Sequence, residues 1–394
     1  MPQLPDELVE EVFLRLPPDE PAALVRASLA SKPWLALLTG PAFRGRYREF
    51  HGAPPMLGFL YSRLDGSGAP RLVSTSKFCA RIPDFTEPTH QRFDARDCRH
   101  GRVLLGNNDY CTPVLLVWDP MTGCTRELDG SCLPDSFELA VLCAVSGCDH
   151  RACHAAPFRV VCVGLNYSEE GECVAVACVS SPDTGDWSKP CPDFWSEWDE
   201  RCPGLDLVAA ADAFMRPMPS VLVNGALHFL LGYENDNARV GILKYSLSSD
   251  SLSLIDAPLV ESVVFHDPML MAMKDGTLGF AHLDRLILYV WSRKIDSDGG
   301  ASWARGTVVH LKCLLPMEDP KSEPILIGSV EGGDIIFVNT DLGVYQIDLK
   351  TLECKELMKG RNFYSLIPYM SFYNPPERVI PGDAARRECT VEYA

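Results

Sequence analysis

The densest set of side chains that could do chemistry is Cys143, Cys148, His150, Cys153 and His154, in the run CAVSGCDHRACH. Thiolates and imidazoles converging on one point hold zinc tetrahedrally, and four such ligands are enough. The wider cysteine pattern points elsewhere. Of 16 cysteines, thirteen fall between Cys79 and Cys202, and no pair has the two-residue gap of a zinc knuckle or redox motif. In a chain expected to stay where thiols are reduced, they read as small buried hydrophobes in strands. No metal or other cofactor is expected.

Catalytic constellations fare no better. The sequence holds no G-x-x-x-x-G-K-[ST] loop, G-x-G-x-x-G, H-E-x-x-H or G-x-S-x-G elbow. The nine histidines are scattered, with only His150 and His154 close together. Carboxylates such as Glu169-Glu170, or Asp193 with Glu197, lie in polar, loop-like stretches and read as solvated surface. A non-catalytic protein is expected. The aromatic run GDWSKPCPDFWSEWDE leaves two readings open. Trp187, Phe194, Trp195 and Trp198 either pack inside strands and loops, or form an exposed ledge rimmed by Asp193, Glu197, Asp199 and Glu200. The ledge would grip a basic peptide or a glycan as a target.

Composition bounds the partners. The formal charge is −17 over 394 residues, which argues against a nucleic-acid backbone as ligand. Residues 1–51 hold seven acidic and six basic side chains, so nearly all the excess acidity lies beyond them. The N-terminus MPQLPDELVEE lacks the basic-then-apolar layout of a signal peptide. Apolar stretches such as Leu139 to Val145 and Val221 to Leu231 are too short to span a bilayer. No membrane partner is expected, and the predicted location is cytosol or nucleus.

The elements that must carry any function fall into two textures. In LPDELVEEVFLRLP, Leu8, Val12, Phe13 and Leu16 recur at helical spacing, with Pro5 at the start and Pro17-Pro18 at the end. A second helix is predicted from Pro21, carrying Leu24, Val25, Ser28 and Leu29. A third follows Ser31 as N-cap, with Pro33 in its first turn and Trp34, Leu37 and Leu38 after it. Gly40-Pro41 precede a last short helix bearing Phe43 and Tyr47. About 50 residues bury too little surface for comfortable independence, yet these short helices are apolar on more than one face. Either they pack on the following domain or one face is kept for a partner's helices.

The run from Leu4 to about His51 resembles an F-box: Leu-Pro, a helix with apolar i/i+4 positions, Arg-Leu-Pro, Leu-x-Arg, then Ser-Lys-x-Trp. Ser31 stands where many members have cysteine. The resemblance implies docking to a Skp-family linker, and through it to a cullin-RING ubiquitin ligase of the SCF type. The implied linker contacts are Leu4, Pro5, Leu8, Val12, Leu16, Leu24, Val25 and Ser28. What these supply is apolar burial, not catalysis.

From Pro55 onward the texture is short β-rich runs broken by Gly, Asp, Asn and Ser, among them Val114 to Trp118 and Cys173 to Val179. A turn, a glycine and an apolar strand recur at Gly101, Gly225, Gly276 and Gly333. LLVWDPMTGCTREL, ILKYSLSSDSLSLI and VYQIDLKTLECKEL each read as strand, turn, strand. Repeated hairpins suit four-stranded propeller blades, so the prediction is mainly β: a β-propeller of five or six blades behind a small helical domain. Two packed sheets are the alternative. LLVWDPMTG, VACVSSPDTGDWS, DGTLGFA and PYMSFYNP are similar to pieces of the F-box-associated β-domains abundant in plants, particularly grasses. That resemblance implies a domain that recognises an unidentified target protein. The expected division is residues 1–51 for the F-box, 52–376 for the β-domain and 377–394 for a loose tail.

Overall fold

The computed structural model describes residues 5–63, 72–75, 93–107, 113–130, 133–145, 148, 157–168, 173–181, 183–188, 207–236, 239–258, 266–295, 300–319 and 321–373. Four helices come first: α1 (Asp6–Leu14), α2 (Pro21–Ala30), α3 (Lys32–Thr39) and α4 (Pro41–His51). Their starts follow from the sequence. Pro5 precedes α1, and prolines occupy the first turns of α2, α3 and α4, where a missing amide costs nothing. The Ser31 hydroxyl accepts the Trp34 amide at 3.2 Å, the predicted cap of α3.

The rest is a six-bladed β-propeller. β1 (Met56–Arg63) and β2 (Leu72–Ser74) belong to the blade that closes the ring. Next comes a blade of β3 (Phe93–Arg99), β4 (Arg102–Asn107), β5 (Val114–Trp118) and β6 (Thr125–Asp129). The second contains β7 (Ser136–Cys143), β8 (Phe158–Tyr167), β9 (Cys173–Val179) and β10 (Leu207–Ala209). The third holds β11 (Ala213–Met215), β12 (Val221–Val223), β13 (Ala226–Tyr233), β14 (Val240–Ser246) and β15 (Ser251–Asp256). β16 (His266–Ala272), β17 (Leu278–Asp284), β18 (Ile287–Ile295) and β19 (Ala301–His310) make the fourth. The fifth is β20 (Ile325–Ser329), β21 (Ile335–Asn339), β22 (Gly343–Asp348) and β23 (Cys354–Lys359). Finally β24 (Phe363–Met370) pairs antiparallel with β1 and shuts the ring.

The expected five or six blades resolve to six, each antiparallel within itself. The recurrent glycines of the sequence are the first hairpins of four blades. His100-Gly101 and Asn224-Gly225 each place two consecutive residues at positive φ, the geometry of a tight hairpin whose twist matches its strands. The rhyming segments are the hairpins β5–β6, β14–β15 and β22–β23.

Every neighbouring pair of blades shares one apolar cluster, so central strands are covered on both faces. In β13, Leu227, Phe229 and Leu231 face the second blade while Leu230 faces the fourth. That explains runs such as ALHFLLGY, apolar throughout rather than alternating. Cys162 and Cys178 lie between the first two blades and Cys173 between the second and third, in the expected role of small hydrophobes. Gly328 shows how closely the ring shuts: a Cβ there would run into the Leu366 carbonyl of β24.

Candidate functional site

The helical unit buries Val9, Phe13, Leu14, Leu24, Leu38, Phe43 and Tyr47 together. On the opposite side of α1, Leu8 and Val12 are 51% and 57% exposed. Leu29, Trp34 and Phe50 are exposed as well. Five large apolar side chains in the open on a unit of four short helices are unusual, because such area is costly to leave in water. Arg46 bridges Glu10 and Glu11 at 2.7 and 3.2 Å, tying α4 to α1. The Tyr47 hydroxyl donates to the Leu16 carbonyl at 2.8 Å and closes the other end.

The implied linker contacts therefore separate. Pro5, Leu8 and Val12 are exposed, and Leu16 and Val25 are half-buried. Leu24, only 2% exposed, and Ser28, whose hydroxyl donates to the Val25 carbonyl at 2.8 Å, sit inside the unit. Leu4 lies outside the described residues.

The F-box domain profile matches residues 1–44. The chain carries an F-box. No curated protein sequence matches the chain. Among solved structures, it is similar to the WD40 domain of SCAP from fission yeast, at 13% identity and a TM-score of 0.37 over 70% of this chain. It spans 58% of that domain's length, less than two thirds. TolB from Acinetobacter baumannii is 10% identical with a TM-score of 0.37, over 83% of this chain and 70% of its own. Regucalcin, a calcium-binding protein from Agrobacterium tumefaciens, is 12% identical with a TM-score of 0.36, over 68% and 74%. At these identities and scores, nothing about activity passes to this chain.

Below the F-box, the mouth of the propeller's channel holds a cavity of about 730 Å³, lined from above by Arg48 and Gly52 to Pro55. Its floor is a partly buried ionic network that the sequence reading missed. Arg99, at the end of β3, grips Glu331 with two nitrogens: Nη2 at 2.8 Å from Oε1 and Nε at 3.0 Å from Oε2. Its Nη1 donates to Asp97 Oδ2 at 2.6 Å and to the Ser220 hydroxyl at 3.2 Å. Asp97 Oδ2 also accepts the Val141 amide of β7 at 2.7 Å, and Glu331 Oε1 the Leu222 amide of β12 at 2.7 Å. The guanidinium thus links the first, third and fifth blades, and Asp97 extends the network to the second. The signal was faint: Asp97 and Arg99 alternate on one strand face, but their partners lie far along the chain.

Burial sets the titration of these groups. It pushes Asp97 up to about 6, against the pull of Arg99 and the Val141 amide. It also opposes the Arg99 charge, but Asp97 and Glu331 beside it prevail and hold the guanidinium above its usual value. Burial lifts Glu138 to about 7, with Arg96 at 3.9 Å opposing. A carboxyl raised on folding contributes stability that is present below its unfolded value near 4.5 and lost as pH climbs through about 7. Glu138→Gln removes that loss. The variant is expected to melt about 2–4 °C above wild type at pH 8 and to show no gain at pH 4 in paired thermal scans.

The remaining chemistry-bearing residues are dispersed. His228 and His282 are buried in separate strands, and burial holds both at about 4, so they are neutral at pH 7. Cys143 is buried and Cys148 half-buried, while His150, Cys153 and His154 lie outside the described residues. Among the described residues, no three His, Cys, Asp or Glu side chains are grouped to hold a metal ion. No helix among them is long and apolar enough to cross a membrane.

Trp187 is half-buried against the cluster between the first two blades, and its indole donates to the Asp129 carbonyl at 2.7 Å. Trp303 makes the equivalent bond to the Asp256 carbonyl at 2.8 Å, from the fourth blade to the edge of the third. Trp187 thus ties the second blade to the first. Phe194, Trp195 and Trp198 lie outside the described residues.

Proposed function

We propose that this protein is a non-catalytic substrate-recognition adaptor of an SCF-type cullin-RING ubiquitin ligase. Its F-box docks a Skp-family linker, and its propeller holds a target protein. The observation that carries this reading is the F-box match combined with Leu8 and Val12 standing exposed on α1, opposite that helix's buried face. An apolar stripe on a folded helix is what a partner's helices bury. The propeller supplies what an adaptor needs at its other end: a rigid scaffold with six sets of loops. Such a chain acts by effective concentration, holding a target beside a catalytic partner so that transfer becomes nearly intramolecular. The resemblance of LLVWDPMTG and PYMSFYNP to plant F-box-associated domains supports the finer assignment to that group. The reading implies work in the cytosol or nucleus.

Reconstitution tests it. The full chain, a purified Skp linker and a cullin-RING pair are expected to co-elute as one species in size-exclusion chromatography. Co-elution with the linker but never with the cullin would indicate an F-box scaffold acting outside the ligase. No co-elution with the linker would sink the adaptor reading.

A further inference from the structure

Two of the places where the helical unit meets the propeller arise side by side. The chain leaves α4 through Gly52, at a φ of 74°, and passes Pro54 and Pro55 into β1. β24 is paired with β1, Met370 opposite Met56, and so ends at the same place. The Ser371 amide donates to the Pro55 carbonyl at 3.2 Å and fastens the two strands there. The next residue turns upward. The buried Phe372 ring lies in the helical core, its centroid 6.0 Å from Tyr47 in an edge-on contact. Tyr373 packs on the cluster between the closing blade and the first, and also borders the small space beside Phe43, Tyr47 and Phe372. Among the described residues, Phe372 is the sole member of that buried helical cluster contributed from outside the helices. The adjoining space is not packed flush, because the cavity of about 730 Å³ lies between α4 and the channel mouth.

We infer that Phe372 is a positioning residue that fixes the direction in which the F-box leaves the propeller. A single covalent strap through a glycine lets a domain swivel, whereas a second anchor on the adjacent strand removes that freedom. The inference rests on the adaptor reading, and it adds a requirement to it. Target and linker are held at a set span, and effective concentration falls when that span fluctuates. It also couples the two halves of the chain, since the strand that closes the ring seats the F-box.

The test is a distance distribution between labels carried as azide-bearing amino acids at Glu49 and Lys355, both exposed, in the full chain. Wild type should give one narrow distribution. Phe372→Ala should broaden it roughly twofold or more, while linker affinity stays within about threefold of wild type. Phe372→Leu, which refills the space, should restore the narrow distribution. A Phe372→Ala distribution as narrow as wild type overturns the inference. So does parallel loss of linker affinity or of helical circular dichroism, because Phe372 would then be core filling alone. The distance readout needs no linker, so failure of wild type to bind the linker refutes the adaptor reading separately.

Discussion

Replacing Arg99 with methionine is expected to destabilise the propeller by about 3–5 kcal/mol, the usual cost of deleting one member of a buried ion pair. The mechanism is the charge left behind. The Asp97 side chain is 3% exposed and cannot reach water, whereas Glu331, at 37%, can relax into the cavity. Most of the loss therefore falls on Asp97, and with it on the Val141 amide that Asp97 holds from the second blade. Arg99→Lys should recover little. One ammonium cannot hold both Glu331 oxygens and reach Asp97 and Ser220 at once. A triple variant with Asp97, Arg99 and Glu331 all made apolar should recover part of the loss, because no charge is stranded although the Val141 and Leu222 amides lose their acceptors. Urea midpoints for the three variants check the order. A single Arg99→Met variant within about 1 kcal/mol of wild type would show that the network is ornamental to stability.

The blade pattern was legible because it is local. A positive-φ pair such as Asn224-Gly225 and a hairpin such as β14–β15 announce themselves within a few residues. The helix starts were legible for the same reason, as Ser31 and the first-turn prolines show. The blade count was not, because the closing blade is assembled from Met56–Arg63 and Phe363–Met370, at opposite ends of the chain. The channel network hides in the same way, since Arg99 and Glu331 stand 232 positions apart. On α1, periodicity placed Leu8, Val12, Phe13 and Leu16 on an apolar helix but could not say which side turns inward. Packing decided it: Val9 and Phe13 go in, Leu8 and Val12 stay out. Leu24 and Ser28, grouped with the docking residues from the sequence, went into the core for the same reason. Phe372 gave no local sign, because its partners lie more than 300 residues earlier in the chain.

The second large effect concerns that exposed pair. Leu8→Asp with Val12→Asp should leave the free protein folded, since both positions already face water. The helix cost is small: about 0.5 kcal/mol for each weaker helix former, and at Leu8 a carboxylate in the first turn is favoured by the helix dipole. In a linker complex the same two carboxylates would be trapped against apolar side chains without partners. At roughly 2 kcal/mol or more apiece, the affinity loss should reach about a thousandfold. The decisive measurement is a calorimetric titration of purified Skp linker into wild type and into this double variant, with thermal scans of both. The account predicts a clear binding isotherm for wild type, none at the same concentrations for the variant, and matching melts. Equal binding by both proteins would contradict it and move the docking surface away from α1.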